Sequence, residues 1–258
     1  MTATTERNDW LTVAALGLLA VCVVTFDHEA LGHGGACLLL GGRITLLTSS
    51  VFRCDVTSGW IDPAGPASNL LMGAIALAGL RLAPRQRTKL RLFLILVTAF
   101  SFFWEAGYVM RAMLKRDGDL YFFARFMLGD VTPWVRWAAA AAGLALYVVT
   151  AWITSAGLTK LWPRAPVARA VARTAWFSGA VGAAVAALAF AGHDWGDVRD
   201  AALEIGGASF PLLFLPLRGA RIDEAPAPAL IARSPAVIVL AVVVYGLFVA
   251  TLGRGLSM

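Results

Sequence analysis

Long apolar runs, recurring between residues 10 and 252, are what most restrict the fold of this chain. A run of about 20 apolar residues is what an α-helix needs to cross the hydrocarbon of a bilayer. Such runs cover residues 10–40, 63–83, 90–114, 133–158, 170–191 and 236–252, with a shorter one at 203–217 broken by Pro211. The pattern predicts an all-α polytopic membrane protein of six or seven transmembrane helices. Composition agrees, with 59% hydrophobic residues and only 15% charged among 258. Little sequence is left for a separate soluble domain. A single transmembrane domain over 1–258 is expected, with a site-bearing half at about 10–130 and further helices at about 131–258.

The segments between the runs are informative too. The first run is not followed by a small-residue cleavage site, so it reads as a retained helix. Gly41-Gly42 ends it. Residues 43–62, rich in Thr, Ser, Val and Ile, predict short strands or a re-entrant hairpin after helix one. Residues 120–128 are amphipathic. The net charge of +6 does not call for nucleic acid, because the basic residues gather in loops. Arg81, Arg85, Arg87, Lys89 and Arg91 form one basic link, and Lys160, Arg164, Arg169 and Arg173 a second. Arg218, Arg221 and Arg233 mark a third, diluted by Asp223 and Glu224. Taken as cytoplasmic, these links put the N-terminus inside, as in a bacterial inner (plasma) membrane. The three cysteines, Cys22, Cys37 and Cys54, suggest no disulfide framework, and Cys37 reads as a small buried apolar residue.

Within the first run lies His28-Glu29-Ala30-Leu31-Gly32-His33. Two imidazoles and a carboxylate are costly in lipid, and a bound metal would repay the cost. Two histidines beside a glutamate suit a zinc hydrolase, in which the histidines hold the ion and the glutamate takes a proton from zinc-bound water. In the usual motif the histidines are four residues apart, about 40° around an α-helix, whereas five residues splay them by about 140°. A local π-bulge would restore a shared face, and Gly32 makes that distortion cheaper. The same spelling occurs in the dipeptidyl peptidase III family of soluble zinc peptidases, which nothing else here resembles. Alternatively, His28 and His33 pair with Asp27 or Glu29 as polar glue between helices.

Three features together resemble the site-2 protease family of intramembrane zinc metalloproteases. They are the His-Glu…Gly-His motif in an early apolar helix, the strand-like segment after it, and Ala64-Gly65-Pro66-Ala67-Ser68-Asn69 opening the next helix. The resemblance covers about residues 10–130. It implies a peptide substrate in or near the membrane, Glu29 as general base, zinc on His28 and His33, and a substrate-contacting or oxyanion-stabilising Asn69. The family's histidines are four apart, and its third ligand is the Asp of a Leu-Asp-Gly triplet that this chain lacks. Asp119 stands where that Asp is expected in order, although it could equally be a plain helix cap. Glu105, inside the third run, is the alternative ligand or a partner of a histidine N–H. His193, Asp194 and Glu204 remain behind them. Residues 43–56 could pair with an extended substrate by strand addition.

The expected protein is therefore an intramembrane zinc metallopeptidase, with membrane lipid and a membrane protein or peptide as its partners and its oligomeric state open. A transporter or channel for metal ions or protons, and a non-catalytic relative that binds a membrane partner, are the competing possibilities.

Overall fold

The computed structural model describes residues 8–192, 195–215 and 229–257. Helix α1 (Trp10–Phe26) passes without a break into a π-helical stretch, π1 (Asp27–Gly34), and a short α2 (Gly35–Leu39). Asp9 caps the start, its side chain accepting from the Thr12 backbone N–H at 2.9 Å. Gly41, at φ +76°, turns the chain out of α2. Strands β1 (Ile44–Leu47) and β2 (Phe52–Cys54) then form an antiparallel hairpin. Five long or amphipathic helices follow: α3 (Ala64–Leu82), α4 (Thr88–Lys115), α5 (Asp119–Leu128), α6 (Pro133–Leu161) and α7 (Ala165–Leu188).

Side-chain partners give the directions. Asn69 of α3 meets His28 while Gly73 packs on Phe102, so α3 runs away from the motif and α4 returns to it. Gly143 of α6 meets Val109 and Gly157 meets Ile95, so α6 descends along α4. Ser178 of α7 donates to the Ala14 carbonyl at 2.8 Å, and α7 rises again beside α1. The last helix, α9 (Pro235–Phe248), starts beside Thr12 and continues through a π turn at Val249–Gly253. Beyond it, Leu256 exchanges two backbone hydrogen bonds with Leu47 of β1. The α3–α4 and α6–α7 turns and the start of α1 thus share one end of the bundle. The hairpin, α5 and the His-Glu motif share the other. Between them, α1, α4, α6 and α7 enclose an apolar core around Val13, Leu96, Phe100, Phe103 and Leu158.

Among the described residues, five helices are long and apolar enough to cross a membrane: Trp10–Leu39, Thr88–Lys115, Pro133–Leu161, Ala165–Leu188 and Pro235–Gly253. That count falls below the expected six or seven. α3 forms as expected, but Pro66, Ser68, Asn69 and Arg81 dilute its apolar character. Along the shorter run, α8 (Trp195–Ala201) gives way to a π turn (Ala202–Gly207) and a 3₁₀ turn (Phe210–Leu213). Gly206-Gly207 and Pro211 stand where a continuous helix would need good helix formers. The end of that run and most of the third basic link lie outside the described residues.

A second correction concerns the cysteines. Cys37 and Cys54 form a disulfide, with Cα atoms 6.1 Å apart, and Cys22 is the buried free thiol. The hairpin folds β2 back over the end of α2, a closeness that a sequence separation of 17 does not advertise. Peptide mapping of the purified protein without reductant should therefore recover Cys37 and Cys54 in one linked fragment and Cys22 as a thiol; a Cys22 linkage would contradict this packing.

Candidate metal centre

The π register aligns the two histidines. In π1 the backbone bonds run from i to i+5, so residues five apart stack on one face. The expected distortion is present, and it extends over eight residues. His28 Nε2 and His33 Nε2 lie 3.2 Å apart. Gly32 also serves closeness: a Cβ there would meet Gly65 Cα at 2.6 Å and Ser68 Oγ at 2.6 Å, so π1 and the start of α3 touch backbone to backbone.

Each imidazole is held by its far nitrogen. His33 Nδ1 is 2.8 Å from the Ile61 carbonyl, which can only accept, so Nδ1 carries the proton and Nε2 is bare. His28 Nδ1 is 3.2 Å from Glu105 Oε1, and Asn69 donates to the same carboxylate oxygen at 2.8 Å. Asn69 Nδ2 also lies 3.0 Å from His28 Nδ1; in the tautomer with Nδ1 donating to Glu105, His28 Nε2 is bare. Aromatic plates fix the ring planes. Trp104 stacks on His28 at 4.4 Å and Phe52 of β2 on His33 at 5.6 Å.

Asp119 completes the group from 86 residues beyond His33. Its Oδ2 lies 3.2 Å from His33 Nε2 and 4.0 Å from His28 Nε2. Gly118, at φ +89°, is the N-cap of α5; Asp119 is the first helical residue, and its side chain points to the histidines instead of capping. The Tyr108 hydroxyl accepts the Asp119 backbone N–H at 3.0 Å and so ties the start of α5 to α4.

Two bare nitrogens and a carboxylate oxygen facing one another repel unless a proton or a metal ion lies between them. A tetrahedral ion about 2.0–2.1 Å from each ligand sets those atoms about 3.3 Å apart, close to two of the three separations found. Among the described residues, His28, His33 and Asp119 form the group that could hold a metal ion. Glu105 does not share this face; it lies on the opposite edge of the His28 ring. Glu204 pairs with Arg111 at 2.7 Å, and His193 and Asp194 lie outside the described residues. Cys37, in its disulfide, is no ligand.

The group borders a cavity of about 140 Å³ that Glu29, Asp62, Tyr108 and Glu204 also line. Burial, and then the charge of Asp119, pushes Asp62 up to about 6. Burial pushes Glu204 up to about 8 despite Arg111. Asn69, expected to contact substrate, is fully buried behind His28 and bonded to Glu105, where it positions the ring.

Sequence reasoning passed over Trp104, Tyr108, Asp62 and the Ile61 carbonyl. Trp104 and Glu105 stand four and three residues before Tyr108 on α4, and that spacing was the available signal. Comparison with protein-family models, curated proteins and solved structures finds no match for this chain.

Gly65 gives a sharp test. A Cβ there would stand 2.7 Å from His28 Nε2 and closer still to His33 Nε2. Gly65→Ala should fold yet bind zinc at least tenfold more weakly, measured by metal content and competition with a chelating dye. Asp119→Ala should likewise weaken binding, and more than Glu105→Ala does; the reverse order would transfer the ligand role to Glu105.

Proposed function

We propose that this chain is an intramembrane zinc metallopeptidase of the site-2 protease type. One observation carries the proposal: two bare imidazole nitrogens and a carboxylate converge on a polar cavity at the end of an apolar helix, with Glu29 on the cavity wall. Three protein ligands leave a fourth position open, the pattern of catalytic zinc and not of structural zinc. Zinc bound there would lower the pKa of a water to about 7 and polarise a peptide carbonyl.

The chain's own groups supply the rest. Glu29 lies next to His28 in sequence and lines the same cavity. Its carboxylate takes the proton of the attacking water and passes it to the departing amine. Glu105, Asn69 and the Ile61 carbonyl keep both imidazoles in the tautomer that offers Nε2 to the ion. The hairpin, held to the motif helix by the Cys37–Cys54 disulfide, places Phe52 and Ser50 at the cavity, where a substrate unwound from its helix would lie.

The orientation of the site belongs to the same proposal. Trp10 to His28 spans about 27 Å at 1.5 Å per residue, so the site lies near the far face from the start of α1. The basic α3–α4 and α6–α7 turns share that start, which makes it the cytoplasmic end. A disulfide persists in an oxidising compartment, and Cys37–Cys54 sits at the site end. The cavity therefore faces the non-cytoplasmic side. The acidic and imidazole groups form one cluster at that end, which favours a hydrolytic centre over a path across several spans.

Glu29→Gln tests the chemistry. The amide cannot take a proton, so the variant should keep its zinc and lose about 10²–10⁴-fold in cleavage of a transmembrane model peptide. Cleavage at the wild-type rate by a zinc-loaded Gln variant would remove Glu29 from the reaction.

A further inference from the structure

A second, smaller cavity lies behind the metal centre and carries a site of its own. It holds about 10 Å³ for the centre of a water-sized sphere, and Thr25, Ser49, Trp104 and Glu204 supply its polar wall. Thr25, Ser49 and Trp104 are more than nine-tenths buried. Thr25 Oγ1, Ser49 Oγ and Trp104 Nε1 have no hydrogen-bond partner among the described protein atoms. Buried polar groups of native proteins are almost always satisfied. Here three of them, from α1, the β1–β2 turn and α4, border one small space.

The donor set defines the ligand. An indole N–H only donates, so whatever sits there must accept, which rules out a metal cation or an ammonium group. The space is too small for a polyatomic anion. The two hydroxyls can donate or accept as required. A neutral molecule able to do both is needed, in a space of about 10–15 Å³, the minimum for one water. We propose that a single ordered water occupies this cavity, accepting from Trp104 Nε1 and bonded to Thr25, Ser49 and Glu204.

Its position connects it to the chemistry. The Trp104 ring it would hold by the N–H edge is the plate stacked on His28 at 4.4 Å and 10°. Glu204, whose Oε1 takes Arg111 at 2.7 Å, borders this cavity and the metal cavity alike. The water thus joins the support of one ligand to the wall of the reaction cavity. The site rests on polar satisfaction alone and stands whether or not the chain is a peptidase.

The test is nuclear magnetic resonance on the full chain in lipid nanodiscs, with the tryptophan indoles labelled with ¹⁵N. Trp104→Phe assigns the Trp104 N–H by its disappearance. That N–H should show a dipolar cross-peak to a long-lived water in the wild type. Ala201→Val, which adds two methyl groups to the wall, should remove the cross-peak and leave the indole resonance in place. Absence of the cross-peak in the wild type, or its persistence unchanged in Ala201→Val, would overturn the proposal. A structure at about 2 Å is the independent check. A density peak about 2.7–3.2 Å from Trp104 Nε1 and at least two of the other groups is expected; an indole N–H bonded directly to protein is the contrary result.

Discussion

A change of hydrogen-bond register, from i+4 to i+5 over Asp27–Gly34, is the constraint on which the rest of the site depends. On an ordinary helix the two imidazoles would diverge and each would need its own partner in an apolar bundle. The π register makes them neighbours, and their Nε2 atoms lie 3.2 Å apart. That solves a steric problem and creates an electrostatic one, because two bare nitrogens and the Asp119 carboxylate now face one another. The surrounding elements answer it from outside. The Ile61 carbonyl and the Glu105 carboxylate take the Nδ1 protons, and Trp104 and Phe52 fix the ring planes.

The close approach of α3 follows from the same register. Gly32 and Gly65 bring the two backbones into contact, and with α3 this near, Asn69 reaches the carboxylate that holds His28. The Ala-Gly-Pro-x-x-Asn stretch therefore has two functions in this chain. Its glycine yields space at the Nε2 face, and its asparagine braces the opposite edge of the ring. Neither needs to touch a substrate.

Much of this was legible in the sequence, and what was missed follows a physical pattern. Local features were readable: the apolar helices, the strand-like 43–56 segment, the amphipathic 120–128 segment and the register problem posed by a five-residue spacing. Asp119 was readable from order along the chain, though its choice over a plain cap needed the geometry of Gly118. Features made only by long-range packing were not. The Cys37–Cys54 pair depends on how the hairpin folds, and the Ile61 carbonyl is invisible to any reading of side chains. The described helices supply two fewer candidate spans than the apolar runs suggested: polar residues dilute α3, and Pro211 and paired glycines break the shorter run.

The Asp119 carboxylate differs from the histidines in what anchors it. The histidines belong to a helix packed deep in the bundle, whereas α5, which Asp119 begins, has no buried residue. Its Phe126 lies against Gly59, its Phe123 and Phe126 rings meet Trp60, and Phe122, Met127 and Leu128 are open to the surroundings. A helix of this kind takes its depth and tilt from the lipid–water boundary. Two donors of the candidate centre thus stand on a helix inside the bundle, and the third on a helix at its edge that is tied to α4 through Tyr108. A centre held this way would lose its third donor more readily than its two histidines when the surroundings of α5 change.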